Sequence, residues 1–93
     1  MKVLVLCRPT PRMGPRDTVA QLGEEAKMLE TWRDAGMLLE LYSPGGPGAV
    51  LVLDLVDMHQ AEALVETLPL CRAGLIQTEL IGLHPIELPG KRA

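Results

Sequence analysis

Met37-Leu-Leu-Glu-Leu-Tyr-Ser43, Pro44-Gly-Gly-Pro-Gly48 and Ala49-Val-Leu-Val-Leu-Asp-Leu-Val56 run on without a break, and reading them decides the fold. The outer segments are leucine- and valine-rich runs of strand length, and the proline-glycine segment between them forces a turn, so the three predict a β-hairpin. Val50-Leu-Val-Leu53 is apolar at every position. A strand with one face in water alternates apolar and polar residues instead. This strand therefore predicts a sheet that is covered on both faces.

Working upstream, Asp17 or Thr18 can cap a helix from about Thr18 to Ala35, and Gly36 suits its stop. Leu22, Ala26, Leu29 and Trp32 make one apolar stripe along it. Before it, Lys2 to Cys7 reads as a first strand, ending in an Arg8-to-Pro15 loop that holds Arg8 and Arg12, with Arg16 just beyond. Working downstream, Asp57-Met-His-Gln60 has the form of a capping box. The helix it opens uses Met58, Ala61, Leu64, Val65 and Leu68, with Pro69 closing it. Leu75 to Leu83 is a fourth strand ended by His84-Pro85, and Pro89 to Ala93 is a polar tail.

The order is β-α-β-β-α-β, the ferredoxin-like α+β arrangement of a four-stranded antiparallel sheet with two helices on one face. Residues 1–93 make a single domain. Two helices cover only one face of the sheet. A second copy of the same sheet is the simplest cover for the other, which predicts a homodimer.

Composition narrows the partners. Seventeen leucines against no Phe, one Trp and one Tyr make the core aliphatic. A chain this short buries only roughly 60–65% of its unfolded surface, which again favours association. Nine basic against twelve acidic residues gives −3. Nucleic-acid binding, which uses a basic footprint and aromatic platforms, is not expected. The apolar run Gly48 to Leu53 is too short to span a bilayer, and the five apolar residues after Lys2 are too few for an export signal. Cys7 and Cys71 are expected to be reduced thiols in a cytoplasmic protein.

Topology then groups the polar residues into two candidate sites. The C-terminal ends of the first two strands share an edge with the start of the first helix. That edge gathers Arg8, Tyr42, the Arg12/Arg16 loop and Glu24 or Glu25. Arg8 can clamp an anion while Tyr42 donates a hydrogen bond, or the loop arginines are simply solvated. Glu25, facing inward, can act as a base whose pKa is raised by aliphatic surroundings. The opposite edge gathers Lys2, Asp54, His59 and His84. There His84 can carry a proton with Asp54 orienting it, or its ring merely covers the sheet end. Glu40 and Glu79, in mid-strand, must each face solvent or a pocket.

No metal is expected, because His59, His84 and the two cysteines match no standard zinc spacing. The phosphate-cradle and nucleophile-elbow motifs are missing from the sequence. Cys7 reads as a small core residue. Trp32 falls on the helix stripe, where a core role competes with that of a substrate platform.

With Leu68-Pro-Leu70 at the end of the second helix and His84-Pro85 after the last strand, the chain resembles the muconolactone isomerase family of dimeric α+β barrels. The resemblance runs from about Leu22 to Pro85 and takes in the Gly36 helix stop and Val52-Leu-Asp-Leu55. Leu41-Tyr42 stands where that family carries a Trp-Arg pair, Ala49 replaces an Asn, and a helix-two His falls near Glu62. A first-helix Glu corresponds to Glu24 or Glu25, and the family His-Pro to His84-Pro85. The scaffold is kept while much of the polar lining is changed.

The resemblance implies a small cofactor-independent isomerase or cyclase. It would move a proton on an unsaturated lactone or a carbonyl-bearing aromatic or polyketide-type intermediate of secondary metabolism. Glu25 or His84 would be the catalytic base, and Arg8, Tyr42 and Trp32 would contact substrate. Two other readings stay open: a cofactor-free monooxygenase of phenolic polyketides, and a non-catalytic dimeric module that binds a small molecule.

Overall fold

The computed structural model describes residues 1–89, apart from the side chains of residues 15–21. The elements are β1 (Lys2–Pro9), α1 (Pro15–Asp34), β2 (Leu38–Tyr42), β3 (Ala49–Asp54), α2 (Met58–Val65), α3 (Pro69–Arg72) and β4 (Ile76–Leu83). The strands form one sheet in the order β2-β3-β1-β4, antiparallel at every junction. This is the expected ferredoxin-like arrangement.

The punctuation residues act through specific bonds. Gly36 ends α1 at φ +78°, with its N–H donating to the Arg33 carbonyl and Met37 N–H donating to that of Trp32. These two bonds make a Schellman stop. Asp57 caps α2 by accepting from Gln60 N–H at 2.8 Å, while the Gln60 side chain accepts from Val56 N–H at 2.7 Å. The box thus closes one residue earlier than its usual form.

Three expectations need correcting. Helix α1 starts at Pro15 with Gly14 as N-cap, not at Thr18, because a proline in the first turn gives up no helical bond. The side chains of Asp17 and Thr18 lie outside the described residues, as does that of Arg16. Arg8 and Pro9 belong to β1 rather than to the loop, since β4 continues to pair with them through Gln77 and Ile76. Pro69 does not close α2, which ends at Val65. It opens the short α3 instead.

Cross-strand partners share a face, so the register sorts the side chains. Val3, Val5 and Cys7 pair with Leu53, Leu51 and Ala49 and face the helices. They join Trp32, Ala61, Val65 and Leu68 in one buried cluster. Leu4 and Leu6, opposite Val52 and Val50, lie on the open face. A bulge between Leu38 and Glu40 resets the phase of β2. It sends Leu38 and Leu41 to the helix face and Glu40 and Tyr42 to the open face. Glu40 and Glu79 are thereby explained, for both lie on the open face, where Tyr42 donates to Glu40 and Arg8 pairs with Glu79 at 3.0 Å. No helix among the described residues is long and apolar enough to cross a membrane.

The β2–β3 loop returns tightly against β1. Gly48 sits at φ +110°, and a Cβ there would collide with the Cys7 carbonyl oxygen. Gly48→Ala is expected to cost about 1–3 kcal/mol through backbone strain and that collision. Urea unfolding measures it, and an unchanged midpoint would mean that the loop relaxes without penalty.

Candidate functional site

A cavity of about 950 Å³ opens between the helix face of the sheet, α1 and the β2–β3 loop. It lies at the end of the sheet where β1 and β2 finish. Its walls include Cys7 and Pro9 of β1, Met13 of the following loop, Leu22 and Leu29 of α1, Leu41 of β2, Leu51 of β3, and Leu68 and Leu70 around the start of α3. The lining is mostly aliphatic. Among the described lining residues the one carboxylate is that of Glu25.

Glu25 is 8% exposed and accepts the Leu70 N–H at 3.1 Å. The bond follows from the local sequence. Pro69 starts α3, so the next N–H has no partner within the helix and must find an acceptor outside it. Burial pushes the Glu25 carboxyl above its ordinary 4.5, and the Leu70 N–H pulls it back only in part. Burial also raises the two nearby thiols, Cys7 to about 12 and Cys71 to about 11. Both are protonated at neutral pH, so neither is a nucleophile there. Among the described side chains of this wall, Glu25 is the carboxyl, and burial moves it toward holding its proton to higher pH.

The remaining candidates are scattered. Tyr42 borders the cavity, but its hydroxyl donates to Glu40 on the far side of the strand. Arg8 points to the open face and is held by Glu79. Trp32 is 4% exposed in the core and is not among the cavity's walls, so the stripe position fixed its role as packing. His84 follows the strand end opposite Lys2, whereas Glu25 acts electrostatically on Cys7 at the other end. Between Lys2 and Cys7 lies roughly 17 Å of strand. Asp54 does not orient His84. Instead it accepts from the amino terminus at 3.3 Å. His59 lines a separate hollow beside α2, with Glu62 and Glu66.

Two contributors escape sequence reasoning. Leu70 supplies its backbone N–H, and the Pro69 before it was the available signal. Ser43 lines the cavity, and its oxygen accepts from Gly45 N–H at 3.2 Å, which leaves its own hydrogen to donate.

A compact β-α-β-β-α-β chain with a cavity between its helix face and the β2–β3 loop has the fold of the muconolactone isomerase-like proteins. Muconolactone isomerase itself superimposes over 100% of both chains with a TM-score of 0.75 at 19% identity. The 5-chloro-2-hydroxyhydroquinone dehydrochlorinase of Burkholderia phenoliruptrix AC1100, solved with 2,5-dihydroxybenzoquinone, matches over 90% of this chain and 94% of its own. Its TM-score is 0.74 at 16% identity. No protein-family model and no curated protein matches the chain. Identities this low establish shared architecture and leave the chemistry to the residues.

The raised carboxyl has a measurable consequence for stability. Glu25 holds its proton more tightly in the folded chain than in the unfolded one, where the ordinary value is 4.5. Stability therefore falls as pH rises from that value through the folded one, and the cost persists above it. Glu25→Gln keeps an oxygen for Leu70 N–H and removes the buried charge. Its melting temperature at pH 8 should exceed that of the parent by about 4 °C or more. The gap should close below pH 4, and thermal scans across this range check both halves.

Proposed function

We propose that this chain is a cofactor-independent enzyme that moves a proton on a carbonyl-bearing ring compound, isomerising or cyclising it, with Glu25 as the base. The observation that carries the reading is the buried Glu25 carboxyl in a 950 Å³ aliphatic cavity. A base of this kind works best when its pKa lies near the working pH, and burial moves Glu25 in that direction. Glu25 takes a proton α or γ to the carbonyl, charge builds on the carbonyl oxygen, and the same carboxyl returns the proton at another carbon. The Ser43 hydroxyl is the candidate donor to that oxygen. Such a shift is redox-neutral and needs only a base and a donor. The neighbours' names support the reading, since a lactone isomerase and a hydroquinone dehydrochlorinase both handle oxygenated ring compounds. Loss of HCl, like isomerisation, can begin when a base removes a proton.

The working unit in this proposal is a homodimer, with the open sheet faces packed together. Its support is the aliphatic patch of Leu4, Leu6, Val50 and Val52, continued by Ile81 at 38% exposure. Two free thiols, Cys7 and Cys71, suit a reducing compartment, and a cytoplasmic location belongs to the same proposal.

Two experiments test these statements. Proton NMR in D₂O with unsaturated lactones and phenolic ketones should show enzyme-dependent deuterium uptake next to a carbonyl. Glu25→Gln should slow that uptake at least about 100-fold, the usual contribution of a positioned base. The parent's rate should climb with pH as the raised carboxyl ionises. His84→Ala should leave the rate within twofold, and a large loss would transfer the role of base to His84. Light scattering should give a mass twice the 10.1 kDa of one chain, and Val52→Asp should return it to a single chain. A parent of single-chain mass would dismiss the dimer.

A further inference from the structure

Chemistry at Glu25 leaves the charge of the substrate undetermined, and the surroundings of this carboxyl bear on it. We infer that the cavity takes an uncharged ring compound, a neutral ketone, lactone or phenol, and discriminates against any substrate that carries a carboxylate. The inference rests on the proton-transfer reading of the same site and narrows its substrate class.

A carboxylate entering an aliphatic cavity loses its hydration, and it binds only where a cation or several donors replace that water. The described lining residues include no Lys, Arg or His. Arg8 and Arg12, the arginines whose side chains are described at this end of the sheet, both lie outside the lining. Arg8 lies across the sheet on Glu79 at 3.0 Å, and Arg12 carries its guanidinium past Gly74, outside the lining. Tyr42, the phenol that a carboxylate would seek, spends its hydrogen on Glu40. The Leu70 N–H is taken by Glu25. Thr10, also in the lining, spends its hydroxyl hydrogen on the Gly74 carbonyl, so among the described side chains the Ser43 hydroxyl is the neutral donor left at the wall, of the strength a carbonyl oxygen needs.

Glu25 adds a second penalty. Two carboxylates in one low-dielectric cavity do not both stay ionised, so one of them takes a proton. If the guest takes it, binding costs the work of protonating an acid at neutral pH. If Glu25 takes it, the base is lost. An acid guest therefore binds weakly or blocks proton removal, whereas a neutral guest does neither. Leu41 and Ala49, which line the cavity on the sheet side, offer an acid neither charge nor a side-chain hydrogen bond.

The test is a matched pair of ligands, a butenolide with a carboxymethyl arm and the methyl ester of the same compound. Both are titrated into the full chain by calorimetry at pH 7.5. The ester should bind at least tenfold more tightly than the acid, and in Glu25→Gln the difference should shrink without vanishing. Equal or tighter binding of the acid overturns the inference. If Arg16→Ala then weakens the acid, a cation from the start of α1 is what reaches the cavity. Binding of neither compound overturns it as well. Deuterium uptake into the ester is read separately. Preference for the ester with no uptake keeps the substrate class and discards the proton-transfer reading, while uptake together with acid preference does the reverse.

Discussion

The bond from the Leu70 N–H to the Glu25 carboxylate is the contact on which the site depends. It joins residues forty-five positions apart and fastens α1 to the start of α3 at the mouth of the cavity. One N–H is too little to compensate a buried carboxylate, and the direction of the carboxyl's shift says so: burial outweighs the bond. The chain thus keeps an unfavourable group in its interior. Such groups persist where the surrounding packing over-determines the structure, and here that packing is the cluster of Val5, Leu51, Leu53 and Leu68, each at most 1% exposed.

The sheet separates this group from the other polar residues. A pleated strand sends successive side chains to opposite faces, so neighbours in sequence end in different surroundings. Cys7 faces the cavity and Arg8 the open side; Leu41 faces the cavity and Tyr42 directs its hydroxyl to the open side. The bulge after Leu38 sets this phase for β2, and without it Glu40 would point at the helices. The ion pair of Arg8 with Glu79 and the bond of Tyr42 with Glu40 then border the aliphatic patch of the open face. The same alternation that turns Arg8 and the Tyr42 hydroxyl away from the cavity places them around that patch.

Much of the fold was legible in the sequence. Gly36, the Pro44-to-Gly48 turn and Asp57 each act through backbone geometry that is local, so reading them required no tertiary information. The apolar run Val50 to Leu53 likewise marked a strand, and Leu51 and Leu53 are its buried, helix-facing residues. Pro69 was misread because a proline is equally at home after one helix and at the start of the next. Glu24 and Glu25 were equal candidates in the sequence, and the partner of Glu25 was illegible there, since a backbone N–H carries no sequence identity. Arg8 and Tyr42 were grouped correctly by sheet edge and wrongly by face. An edge is fixed by topology, whereas a face depends on register, and one bulged residue reverses it.

The surroundings of the cavity also rank the chemistries open to it. Thiol chemistry requires a thiolate, and burial keeps Cys7 protonated far above neutral pH. Imidazole chemistry would need His84, which stands at the other end of β1 from Glu25. A carboxyl that is deprotonated only reluctantly is poor at holding a cation and well suited to exchanging a proton with carbon acids, whose anions need stabilising at one oxygen. Under the proposed reaction, aliphatic walls, the reluctant Glu25 carboxyl and the Ser43 hydroxyl suit a guest that arrives neutral, becomes an enolate for the lifetime of one proton transfer, and leaves neutral again.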